Sequence, residues 1–133
     1  MKADTQIWLK YAEENYLSAI ILLEQRLLNN SIQNFQQSIE KYLKACCIEN
    51  GIPPERTHSV QKLLNTLLTS GIRIELDESD TELIDSIYLP SKYPIGSALA
   101  EFEVTDDDCK ILHIIALVHD KIYKQLNVNN LCK

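Results

Sequence analysis

An all-α fold is what this sequence predicts: an up-down antiparallel bundle of about five helices, four long or medium and one short, in a single domain over residues 1–133. Three observations predict it. Apolar residues recur at three- and four-residue spacing along most of the chain, which is one face of a helix. Glycine, proline and polar breaks part these stretches at short intervals, and short connections favour antiparallel neighbours. One segment, Ile72 to Leu76, alternates apolar and charged residues as a strand would, but there is no second strand to pair it and it is expected to be an extended connector.

The first helix is expected from Ala3 to about Leu28, with Trp8, Tyr11, Ala12, Ala19, Leu22, Leu23 and Leu27 on its apolar face. Asn29-Asn30-Ser31 punctuates the chain, with Ser31 as the expected N-cap of a second helix from Ile32 to about Asn50. That helix carries an inner stripe of Ile32, Phe35, Ile39, Leu43 and Cys46, and stops at Gly51 ahead of Pro53-Pro54. The third helix covers about Ser59 to Thr69, with Val60, Leu63, Leu64, Leu67 and Leu68 apolar, and Gly71 ends it. A short fourth helix is expected from about Ser79 to Tyr88, closed by Pro90, with a loop from Pro90 to Val104 behind it. Thr105-Asp106-Asp107-Asp108 places a capping threonine and carboxylates at the positive end of a last helix running to about Leu126.

The chain has 133 residues, one domain's worth, and can bury a core without disulfides or a structural metal. Its formal net charge is −6, which argues against a general basic surface for non-specific nucleic-acid binding. No apolar run has the roughly 18 residues of a membrane span, and Met1 to Thr5 leads into an amphipathic pattern and not a signal-peptide core, so a cytoplasmic location is expected. The four cysteines, Cys46, Cys47, Cys109 and Cys132, have no metal-ligand spacing and read as free thiols. Neither a metal nor a cofactor is expected.

Polar interest concentrates on the second helix. Gln37, Glu40, Lys41 and Lys44 fall at three-and-four spacing, and Glu40 to Lys44 has the favourable order for an i,i+4 ion pair. By spacing alone this stripe is a solvated face. His58, in Thr57-His58-Ser59 ahead of the third helix, is an acid, base or ligand contact, or part of a helix N-terminal turn. His113 and His119 lie six residues apart, roughly 240° around a helix, so they cannot share one metal ion. His119 borders the apolar face and reads as a packed histidine. Glycine-rich phosphate loops and Gly-x-Ser-x-Gly elbows are missing from the sequence.

Taken in order, Trp8 and Ala12, then Phe35-Gln36-Gln37-Ser38-Ile39-Glu40-Lys41-Tyr42-Leu43-Lys44-Ala45, then His58 with Leu63, then Ser91-Lys92-Tyr93-Pro94, resemble the HEPN family of helical bundles across nearly the whole chain. The resemblance implies that Gln37, Glu40, Lys44, His58, Lys92 and Tyr93 form one ligand or partner surface. It also implies a homodimer, and a nucleotidyltransferase partner in a toxin–antitoxin-like or nucleotide-handling system, with a nucleotide as an alternative ligand. Lys92 stands where the family usually has an arginine, and it lacks the planar fork that suits bidentate phosphate recognition. HEPN ribonucleases pair an arginine with a histidine four to six residues later. The arginines here, Arg26, Arg56 and Arg73, precede no histidine at that distance, so no catalytic residue is expected. The alternatives are a nucleotide-binding helical domain and a ribonuclease toxin with a non-standard site using His58 as acid or base.

Overall fold

The computed structural model describes residues 1–92, 116–117, 119–121 and 124–126, with side chains through residue 86 and again from residue 116. It is all-helical, with no strand among the described residues. The helices are α1 (Ala3–Glu24), α2 (Leu28–Glu49), α3 (Val60–Thr69) and α4 (Glu78–Lys92), and residues 116–117, 119–121 and 124–126 are helical as well. Residues 72–76 belong to neither a helix nor a strand, as expected of a connector.

α1 and α2 form a hairpin. Its cross-links run in opposite residue order, from Thr5 with Glu49, through Asn15 with Asn34, to Ala19 with Ser31, so the helices are antiparallel. The turn between them is tighter and earlier than the sequence suggests. Leu27 N donates to Leu22 O at 2.9 Å and Arg26 N to Leu23 O at 3.0 Å, while Arg26 has φ +64°. This is the Schellman ending, and it recurs at Gly51 (φ +74°) after α2 and at Gly71 (φ +87°) after α3. The glycines mark two of the three stops in the sequence. Arginine occupies the third left-handed position, so nothing local announces it.

Ser31 is therefore not the N-cap. It lies in the first turns of α2, buried, and its hydroxyl donates to Ala19 O at 2.7 Å across the hairpin. At the far end of the hairpin, Glu49 accepts from Lys2 N at 2.9 Å and Thr5 Oγ1 at 3.3 Å, placing a carboxylate at the positive end of α1.

α2 is the axis of the fold and packs on α1, α3 and α4. Ile32, Phe35, Ile39, Leu43 and Cys46, its expected inner stripe, are all buried, and Tyr42, Ala45 and Cys47 join them. α3 contributes Val60, Leu63 and Leu67, α4 contributes Ile84, and Leu126 enters from the C-terminal helical residues. Ala12 and Ala19 of α1 are fully buried, but Tyr11 and Leu27, expected on the same apolar face, are each 51% exposed. α4 runs through Pro90 to Lys92 instead of closing before it. A proline in a last turn removes one backbone donor, and here it does not end the helix. The expected cap at Thr105, His113 and the start of the last helix lie outside the described residues. Among the described residues no helix is long and apolar enough to cross a membrane.

Candidate functional site

Glu40 is the centre of the polar constellation. It sits midway along α2, where the stripe of Gln36, Glu40 and Lys44 turns between the core and the α2–α3 loop, and it is only 5% exposed. Its Oε1 accepts from Lys44 Nζ at 3.0 Å, the i,i+4 pair expected from the sequence. The same oxygen lies 3.0 Å from His58 Nδ1. The expected solvated face is thus overturned: Glu40 is buried, and its partners come from one turn along α2 and from a loop packed against it.

The loop is held from both sides. Gln36 Nε2 donates to His58 O at 3.2 Å, which fixes the amide orientation because a carbonyl cannot accept from a carbonyl. Ser59 caps α3 by accepting from Lys62 N at 3.2 Å. Asp85 of α4 completes the cap, accepting from Ser59 Oγ at 2.8 Å, Val60 N at 2.6 Å and Gln61 N at 3.3 Å. Thr81 Oγ1 bonds Gln61 Oε1 at 2.6 Å, a second tie between α4 and α3. The consequence for ligands is direct. A helix N-terminus is a ready anion site, and this one is already filled by the protein's own carboxylate.

Lys44 is also committed. Its ammonium is paired with Glu40 and sits 5.5 Å from the centre of the Trp8 ring, a cation–π contact that carries the resemblance's Trp8 into the same cluster. With its charge compensated by Glu40, it offers little net attraction to a phosphate. Lys41 points elsewhere, donating to Asn15 Oδ1 on α1; burial, the largest influence on it, pulls its pKa down.

His58 has a different character. Its Nδ1 faces the Glu40 carboxylate at 3.0 Å, the arrangement in which a carboxylate orients an imidazole. The side chain is 58% exposed. Gln36 Oε1 and Glu40 Oε2 are buried and have no hydrogen-bond partner among the described residues.

Of the six residues expected at the site, the structure joins Glu40, Lys44 and His58. Gln37 is half-buried beside them, and the contact to the His58 loop is made by its neighbour Gln36. Residues 36, 40 and 44 are successive i,i+4 positions, a register that marks Gln36 as the better member of the stripe. Asp85 had no sequence signal, since it is 26 residues from Ser59. Lys92 is the last residue of α4; its side chain and Tyr93 lie outside the described residues.

His119 is packed, as expected. Its ring stacks on Tyr16 at 3.9 Å and meets Tyr42 edge-on at 4.8 Å, and Nε2 lies 3.0 Å from Tyr42 Oη. Burial pushes its pKa down; Asp120, 3.6 Å from Nδ1 and too far for a hydrogen bond, pulls the other way without prevailing. Cys46 and Cys47 are free and buried, and burial drives their pKa values up to about 12 and about 11, so neither is a nucleophile in the folded protein. Among the described residues no three His, Cys, Asp or Glu side chains converge as metal ligands.

The family model described as HEPN domain matches residues 5–117. Neither a curated protein nor a solved structure matches the chain. The matched stretch takes in α1 to α4 whole but for two N-terminal residues, and with them the Glu40 cluster, so the chain belongs to the HEPN family.

Proposed function

With HEPN membership as the premise, we propose that this domain is a non-catalytic module that self-associates and works with a nucleotidyltransferase-type partner in a nucleotide-handling or toxin–antitoxin-like system. One observation carries the reading. On α1, Ile7, Tyr11, Leu17 and Ile21 are 50–58% exposed, and they fall within an arc of about 120° at 100° per residue. Lys10, Glu14 and Ser18 share that arc, giving an apolar surface with a polar mix of the kind found at protein–protein contacts. The non-catalytic part is supported by the sequence, in which no arginine precedes a histidine by four to six residues. It is supported too by the compensation of Lys44 by Glu40.

Light scattering on the purified domain tests self-association. A dimer that becomes a folded monomer in Leu17→Glu/Ile21→Glu is the expected result; a monomer at all concentrations removes that half of the reading. Co-expression with a nucleotidyltransferase encoded beside it tests the other half, which fails if the two never co-purify.

The oriented imidazole favours a second reading, in which His58 acts as an acid or base on RNA. It requires growth arrest on expression and RNA cleavage that is lost in His58→Ala while the fold is retained.

A further inference from the structure

The connector Ile72-Arg73-Ile74-Glu75-Leu76 alternates apolar and charged residues as a strand would, and the fold gives it no strand to pair with among the described residues. Its burial alternates in step. Ile72, Ile74 and Leu76 are half-buried against the core, while the side chains of Arg73 and Glu75 are 71% and 79% exposed. A period of two marks a half-buried strand, and no residue of the segment has a positive φ. Hollows of about 470 and 310 Å³ open against Arg73, Ile74 and Glu75, which leaves room beside the backbone.

Two backbone groups of the segment are taken. Ile72 N donates to Leu67 O at 2.9 Å, and Glu75 O accepts from Lys121 Nζ at 2.8 Å. Among the described residues no hydrogen bond reaches the N–H of Ile74 or Leu76, or the C=O of Ile72 or Ile74. An unpaired row of this kind is a template for another strand. The order of the residues selects which one. Turned antiparallel about Ile74, the segment meets a second copy of itself with Ile74 opposite Ile74 and each Arg73 opposite a Glu75. Ile74 then exchanges both its bonds with its own copy, and Leu76 N donates to Ile72 O across the pair. These are the groups left open, and the two already taken are not needed. Arg73 and Glu75 fall at the intervening positions without hydrogen bonds, where facing side chains come closest and opposite charges stabilise the pair. Within one chain they already stand 3.9 Å apart on one face.

We propose that this segment pairs with the same segment of a second copy of the chain, as a two-stranded antiparallel ribbon centred on Ile74. Leu68 and Leu117, 49% and 55% exposed, line the larger hollow beside it. A single short ribbon is marginal in water, so the contact is weak and forms at high chain concentration. It uses no residue of α1, and rests on neither the α1 face nor the nucleotidyltransferase partner.

Sedimentation equilibrium of the full chain carrying Leu17→Glu/Ile21→Glu, at millimolar concentration, reads this contact with the α1 face removed. The chain should self-associate there. Arg73→Glu sets like charges against each other across the ribbon, as does Glu75→Arg. Each should weaken association about tenfold, since two facing pairs change from attraction to repulsion. Mixed in equal amounts, the two single variants should associate with each other as tightly as the starting chain does with itself, because unlike charges face again. Both side chains are exposed, so circular dichroism should show the fold unchanged. With α1 intact, the same series should read as mass gained and lost above that seen at micromolar concentration. The proposal is overturned if the starting chain stays monomeric at millimolar concentration, if the single variants associate as it does, or if mixing them restores nothing. Single variants that lose only a nucleotidyltransferase partner also overturn it, by assigning the segment to a strand of that partner.

Discussion

α1 and α2 are both 22 residues long and lie side by side, yet they use their residues in opposite ways. α2 buries polar side chains, among them Ser31, Gln36, Ser38, Glu40 and Glu49, and gives each at least one hydrogen bond. α1 buries only Thr5, Ala12 and Ala19, and leaves Ile7, Tyr11, Leu17 and Ile21 half exposed or more. Small residues on α1 let the two backbones approach closely, so α2 contributes most of the bulk at their contact. Burial in this hairpin follows position in the bundle, not residue type. A helix at the centre must satisfy its polar groups internally. A helix that packs on one neighbour among the described residues has a face left over.

The sharpest way to break that contrast is a pair of truncations. Leu43→Ala in α2 should cost about 2–5 kcal/mol, as for other fully buried leucines. Leu17→Ala in α1 should change stability by no more than about 0.5 kcal/mol in the monomer. Urea unfolding measures both, and equal losses would mean that the α1 stripe is core.

Next in size is the Glu40 cluster. Glu40→Ala leaves the nearly buried Lys44 ammonium without its carboxylate and should destabilise by about 3 kcal/mol, within the range for breaking a buried pair. Replacing both, as Glu40→Leu/Lys44→Met, should recover much of the loss, because no buried charge is then stranded. A loss below about 0.5 kcal/mol in the single variant would return the stripe to a surface ion pair.

The hairpin turn predicts effects of about 1 kcal/mol in opposite directions. Ser31→Ala removes the buried hydrogen bond to Ala19 O and should cost about 1 kcal/mol. Arg26→Gly relieves the left-handed backbone at φ +64° and should gain about 1 kcal/mol, read from the same unfolding curves.

The smallest effect is in pH. Burial holds the His119 pKa below its unfolded value of about 6.5, so in acid the unfolded chain binds more protons than the folded one. Its contribution is present above pH ~6.5 and is lost as pH falls through the unfolded and then the folded pKa. The midpoint should therefore drop between neutral pH and pH ~5, and His119→Phe should flatten that part of the profile. A variant that follows the parent through this window would show that His119 titrates as it does in the unfolded chain.

Much of this was legible in the residues. The inner stripe of α2 follows from helical periodicity, and Gly51 and Gly71 announce the ends of α2 and α3 because glycine takes a positive φ without strain. The end of α1 is hidden because Arg26 fills the same backbone position with no matching signal, and the expected boundary slid to Asn29-Asn30-Ser31. The site was half legible. Glu40 with Lys44 is a local pair, written in the spacing. Gln36 and Gln37 both fit a three- and four-residue stripe, and only the contact of Gln36 with His58 O tells them apart.

What the sequence determined by itself is what one helix decides alone: the all-α class, the apolar face of α2, two of the three glycine-type stops and the i,i+4 ion pair. What only the tertiary structure decided is which polar groups meet. His58 reaches Glu40 across 18 residues, and Asp85 reaches Ser59 across 26. Such contacts are set by how α3 and α4 pack on α2, and that packing is fixed by core side chains which carry no information about the chemistry at their edge. It tied an apparently solvated stripe into a network around the buried Glu40 carboxylate, and set Asp85 on the first backbone amides of α3.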